Sequence, residues 1–181
     1  MRIRDTKGFT LIELLIVVAI IGIIAAIAVP GLLSARRSGN EASAIGSLRA
    51  VTSSQQAYAS TCANGFYAGD LMDLAVLPVG GGAPFISPDL GAANPVEKSG
   101  YTVTLAPAGD GVASTATAPT CNTVPAGDTI SSWYATAEPI SAGSTGTRYF
   151  WVGTLGTIFA DTAAIGSTLG MDAAPGGSPI Q

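Results

Sequence analysis

One carboxylate, Glu13, sits near the start of KGFTLIELLIVVAIIGIIAAIAVPG, Lys7 to Gly31, where from Phe9 to Val29 the only other polar side chain is Thr10. The run matches the roughly 20 apolar residues that a membrane-spanning helix needs. An acidic side chain at the centre of such a helix costs roughly 3 kcal/mol, so Glu13 calls for a cationic partner or a place at headgroup level. The chemistry it offers is ion pairing.

Catalytic chemistry has little to build on. The chain contains no His, which removes the commonest general base and the commonest metal ligand. It shows no nucleophile–base pair, no phosphate-cradling Gly loop before a helix and no carboxylates grouped for acid–base work. Asp161 and Asp172 in the C-terminal part fall far short of the 6–8 oxygen ligands of a calcium loop, so no metal or other cofactor is expected. Two Cys without His make a zinc site a poor reading. Cys62 and Cys121 both lie beyond the apolar run; in an exported chain they read as a disulfide, with two buried thiols as the other reading.

The elements that would position these residues follow from pattern. With 181 residues there is room for one domain and an appended segment. The net charge of −4 gives no general attraction for nucleic acid, and no specific nucleic-acid partner is expected. A signal peptide would have a shorter apolar core and a small-residue cleavage site, and AVPGLLSARR matches that site poorly. Arg2, Arg4 and Lys7 precede the run and Arg36 and Arg37 follow it, so charge alone does not orient a membrane span.

From Leu32 to Thr61 the helical period continues, with Ala42, Ile45, Leu48, Val51 or Thr52, Gln55 and Ala59 on one weakly apolar face and Arg36, Arg37, Glu41 and Arg49 mostly elsewhere. A helix from Phe9 to Thr61 would be about 80 Å long at 1.5 Å per residue. Cys62 to Ser99, with PVGGGAP, reads mostly as loop, and ASTATAPTCNT reads as surface loop. Four strands are expected at Tyr101–Leu105, Trp133–Glu138, Arg148–Val152 and Thr157–Ala160, the last two as a hairpin. Alternation puts Phe150 on one side of its strand and Tyr149 and Trp151 on the other.

The stretch KGFTLIELLIVVAIIGIIAAIAVP resembles the type IV pilin-like family, which includes type IV pilins and type II secretion pseudopilins. Gly, an aromatic residue, Glu and a long uncharged run fall at the family's offsets. The resemblance covers Lys7 to Pro30, and YATAEPISAGSTGTRYFWVGTLGTIF is similar to the C-terminal sheet of longer bacterial pilins.

The resemblance implies that prepilin peptidase cuts between Gly8 and Phe9 and N-methylates Phe9. It implies that Glu13 pairs with the N-terminal amine of a neighbouring subunit during assembly. Pro30 removes a helical hydrogen bond, and Gly22 loosens the backbone. The resemblance adds that the helix between them can unwind in a filament. Many relatives carry an acidic residue where Gly153 stands here.

The expected fold is therefore α+β. A long N-terminal helix, membrane-spanning in one half and amphipathic in the other, packs on a C-terminal four-stranded antiparallel sheet, as in the pilin fold. The expected divisions are a leader at 1–8, an assembly helix at 9–31, the amphipathic half at 32–62 and a head at 63–181. The expected function is a structural subunit of a type IV pilus, not an enzyme, serving adhesion, twitching motility or DNA uptake. A type II secretion pseudopilin or a minor pilin is the alternative. Expected partners are further copies in a helical filament, prepilin peptidase, an inner-membrane assembly platform and membrane lipid. The head would face the periplasm before assembly and the outside of the cell afterwards.

Overall fold

A computed structural model of the chain describes residues 8–115, 120–165 and 176–180. The chain divides into two units between Arg36 and Arg37.

In the first unit Gly8, Phe9 and Thr10 are non-helical, and α1 (Leu11–Thr61) begins directly after them. Ile and Val dominate it from Ile16 to Ile24, and such β-branched residues are middling helix formers in water. In hydrocarbon the helix is favoured for another reason, since it satisfies its backbone polar groups internally. The large apolar side chains from Phe9 to Leu33 are all exposed, between 46% and 81%. The segment is long and apolar enough to cross a membrane by length and composition. The helix runs without a break through both Gly22 and Pro30.

In the second unit the remainder of α1 packs on a sheet. After α1 come β1 (Tyr67–Ala68), α2 (Leu71–Ala75), β2 (Val96–Lys98), β3 (Tyr101–Pro107), β4 (Thr129–Ile130), β5 (Trp133–Pro139), β6 (Tyr149–Gly153), β7 (Ile158–Asp161) and β8 (Ser178–Ile180). Among the described residues the main sheet has six strands in the order β2-β3-β5-β6-β7-β8, and every pairing is antiparallel. The four expected strands are its centre. The expected count of four is corrected to six by β2 and β8, edge strands of three residues each, too short to show a period of two. A separate pair joins β1 to β4. Thus the Cys62–Ser99 stretch is largely loop but also holds β1, α2 and β2. The β6–β7 hairpin forms with Val152 opposite Ile158.

The core lies between α1 and the sheet. Ala44, Leu48, Val51 and Tyr58 from α1 meet Tyr101, Val103, Leu105, Ala135, Ala137, Phe150 and Val152. The expected helix face needs correction at its start. Leu48, Val51, Gln55 and Ala59 are buried, but Ala42 is exposed, Ile45 is half-buried, and Glu41, Ala44 and Tyr58 turn inward instead. Alternation along β6 sends Phe150 into this core and Trp151 to the opposite face, where it clusters with Ala108, Tyr134 and Ile165 beside Tyr149 and Phe159.

Candidate assembly site

The N-terminal residues form a capping box. The Thr10 hydroxyl donates to Glu13 Oε2 at 3.1 Å, and the Thr10 backbone N–H reaches the same oxygen at 3.5 Å. In return the Glu13 N–H donates to Thr10 Oγ1 at 3.3 Å. Glu13 therefore occupies the third helical position and satisfies donors at the helix start, where negative charge is also favoured by the helix dipole. The T-x-x-E signature before an apolar run announces this box, yet a reading of Glu13 as an ion-pairing group alone overlooks it. The Gly8–Phe9 bond lies just outside the helix, and both residues are exposed. A cut there would put a new amine one residue before the capping Thr10.

Gly22 meets open space, since a Cβ added there would have no neighbour within 4 Å. Pro30 offers no N–H to the Ala26 carbonyl one turn earlier, a standing weakness in the hydrogen-bond ladder of α1. In the free chain Glu13, Gly22 and Pro30 thus share one exposed helical segment, with the carboxylate at its first turn and the exposed Phe9 just before it.

The second unit has its own polar anchors. Cys62 and Cys121 are disulfide-bonded. Beside them Asn122, fully buried, accepts from the Thr120 hydroxyl at 2.6 Å and the Tyr58 hydroxyl at 3.4 Å, and donates to the Asp73 carbonyl at 2.7 Å. That ties the end of α1 to α2. Gln55, also fully buried, donates to the Ala68 carbonyl at 2.8 Å and accepts from its N–H at 2.9 Å, holding β1 as a neighbouring strand would.

Glu41 sits where an amphipathic pattern would put an exposed residue. Arg148 Nε and Nη2 each lie 2.8 Å from its Oε2, while the Thr147 N–H and hydroxyl each donate to Oε1 at 3.0 Å. Burial opposes ionisation of Glu41, but the bonds from Thr147 and Arg148 outweigh it and hold the carboxyl below its ordinary range. Nearby, Asn40 donates to the Thr145 carbonyl at 2.8 Å, and the Tyr101 hydroxyl donates to the Arg148 carbonyl at 2.9 Å. Neither Glu41 nor Arg148 could be found from spacing, because 107 positions separate them.

A shallow hollow is lined by Gly69, Asp70, Met72, Asp73, Pro107 and Asp128. Burial, then the charges of Asp70 and Asp128, push the Asp73 carboxyl up to about 6. Asp70 itself is used structurally, capping α2 by accepting from the Met72 N–H at 2.8 Å. Asp161 accepts from the Thr162 N–H at 2.6 Å, while Asp172 lies outside the described residues. Among the described residues no three His, Cys, Asp or Glu side chains are grouped to hold a metal. At Gly153 a Cβ would fall 2.5 Å from the Trp151 ring, so the indole occupies the space that a side chain there would need.

Comparison with known proteins places the similarity at this N-terminal segment. Residues 3–29 match the family described as the prokaryotic N-terminal methylation motif. The type IV wide pilus major component PilA4 of Thermus thermophilus is 63% identical over 38 residues, which is 21% of this chain and 29% of that protein. The type IV major pilin protein PilA of Myxococcus xanthus is 46% identical over 54 residues, 30% of this chain and 24% of that protein. The matched stretches thus span about a quarter of the length of these curated relatives. No solved structure matches the chain.

Proposed function

From a chain whose N-terminal segment carries the methylation motif of type IV pilins, we propose the precursor of a type IV pilus subunit, cleaved between Gly8 and Phe9 and N-methylated on Phe9 by prepilin peptidase. It is a structural protein, held in the inner membrane by α1 with its head in the periplasm and then moved into a helical filament of its own copies by an assembly platform. The observation that carries this reading is the wholly exposed apolar half of α1 with its single carboxylate in the first turn. Among the described residues nothing covers that surface, and copies packed side by side would bury it.

In the free subunit the capping box holds Glu13. In the filament the methylated amine of a neighbouring Phe9 supplies the countercharge. Leaving a buried charge unpaired is strongly unfavourable, so the pair fixes the register between copies. Gly22 and Pro30 mark the stretch of α1 that yields when copies pack. The disulfide fits a head in an oxidising compartment. The head displays the surface used in adhesion, twitching motility or DNA uptake.

The test compares Glu13→Ala, Glu13→Gln and Thr10→Ala for shed filament. Loss of filament in both Glu13 variants, with assembly retained in Thr10→Ala, is the outcome of a carboxylate needed for its charge. Wild-type assembly in Glu13→Gln would show that capping suffices and would remove the pairing from the reading.

A further inference from the structure

We propose that the loop joining β5 to β6, residues 140–148, is a clasp on α1. It holds the turns from Asn40 to Ser47 as a piece that can open by itself, while the helix from Leu48 onward stays in the core.

Burial divides the helix at this point. From Leu48 to Ala59, α1 takes Leu48, Val51, Gln55 and Tyr58 wholly out of solvent. From Asn40 to Ser47 the buried apolar side chain is Ala44, and Ile45 is only half-buried. One methyl group taken from water is worth roughly 0.8 kcal/mol, against roughly 1.5–3 kcal/mol for a leucine or valine. Apolar packing therefore grips the first two turns weakly.

Polar bonds supply what packing lacks, and they come mainly from one loop. Asn40 donates to the Thr145 carbonyl, and Glu41 accepts from Thr147 and Arg148. From the turn between β2 and β3, Ser99 accepts a bond from the Ser43 hydroxyl at 3.0 Å. The loop also holds its own shape. The Thr145 N–H donates to the Ser141 carbonyl at 2.9 Å, and the Gly143 N–H donates to the Gly146 carbonyl at 2.8 Å. The Ser141 N–H donates to Thr145 Oγ1 at 3.1 Å, and the Ile140 N–H donates to the Gly100 carbonyl at 3.0 Å.

Two glycines let the clasp close. Gly100 has φ +76°, and a Cβ there would fall 2.9 Å from Asn40 Nδ2. A Cβ on Gly146 would run into the Tyr101 hydroxyl, which donates to the Arg148 carbonyl and ties the loop to β3. A piece held by polar bonds at its edge opens at a lower free energy than the core beside it. On the reading of α1 as the element that yields around Gly22 and Pro30 during assembly, the clasp is the stop that keeps that change out of the core.

The test is amide hydrogen exchange of the full chain in detergent micelles, read residue by residue. Glu41→Ala removes the clasp bonds without lowering helix propensity. It should speed exchange at Ala44 to Ser47 and at Thr147 by about tenfold or more, as the loss of a hydrogen bond to a charged group implies. Tyr101→Phe loosens the loop from its other side and should speed the same amides, so the reading survives a Glu41 variant that fails to fold. Val51→Ala weakens the core alone. It should speed exchange at Gln55 to Ala59 and leave Ala44 to Ser47 unchanged.

Equal acceleration of both stretches by Val51→Ala would make α1 one cooperative unit with the core and overturn the proposal. Unchanged rates at Ala44 to Ser47 in the Glu41 and Tyr101 variants would overturn it too. Either result leaves the pilus-subunit reading standing, because the filament yield of the Glu13 variants decides that separately.

Discussion

Glu41 on α1 and Arg148 just before β6 form a part-buried ion pair, with Nε and Nη2 both 2.8 Å from Oε2. Only 9% of the Glu41 side chain is exposed, against 45% of Arg148, so the carboxylate is the partner that cannot fall back on water. Arg148→Met should therefore destabilise the head by about 2 kcal/mol, less than a fully buried pair because the arginine is half in solvent. Chemical unfolding of the head from Arg37 onward measures it.

The same carboxylate sets an acid limb. Its folded pKa is lowered, so its stabilising effect is full above the unfolded carboxylate range and is lost as pH falls through the folded value. Glu41→Gln should flatten the loss of stability below about pH 4. An unchanged acid limb in a titrated unfolding series would show that Glu41 is not the group responsible.

Asp73 works in the opposite direction. Its folded pKa is raised from 3.8 to about 6, so the native state binds more protons than the unfolded chain between those values, and stability falls as pH rises through that window. Asp73→Asn should remove this slope and add on the order of 1 kcal/mol at pH 7, a figure reduced for the half-exposed setting. Melting temperatures at pH 4, 5, 6 and 7 for both proteins decide it.

Gly153 and Trp151 are coupled through space on one face of β6. Gly153→Ala should cost about 1–3 kcal/mol, because the new Cβ would fall 2.5 Å from the rim of the buried Trp151 indole and force the ring to shift. In the background of Trp151→Ala the same change should cost markedly less. Equal costs in the two backgrounds would mean that the indole is not what requires glycine there.

The disulfide joins residues 59 positions apart, and the chain-entropy estimate for such a loop is about 4 kcal/mol as an upper figure. Cys62→Ser with Cys121→Ser should lower the unfolding midpoint of the head while leaving cleavage of the leader unaffected. Pulse-labelled processing and head stability can be read on the same variant.

What could be read from the residues follows from the range of the forces involved. Leu48, Val51 and Gln55 repeat with the helical period, and Tyr101, Val103 and Leu105 alternate, so the helix and the four central strands are written locally. β2 and β8 are not, because three residues with Pro179 among them become strands only when β3 and β7 offer an edge. Glu41 was hidden for a related reason: its burial depends on Thr147 and Arg148, and no local pattern encodes that. Glu13, by contrast, was legible as the one acid in an apolar run, and its capping of Thr10 was legible too, in the spacing of the pair.

The most direct test of the central claim is the intact mass of the subunit in filaments sheared from the native cell. The account predicts a chain that begins at N-methylated Phe9 and is two hydrogens lighter than its reduced formula, as the Cys62–Cys121 bond requires. A subunit that still carries Met1 to Gly8 would contradict it and leave the apolar helix as a plain membrane anchor.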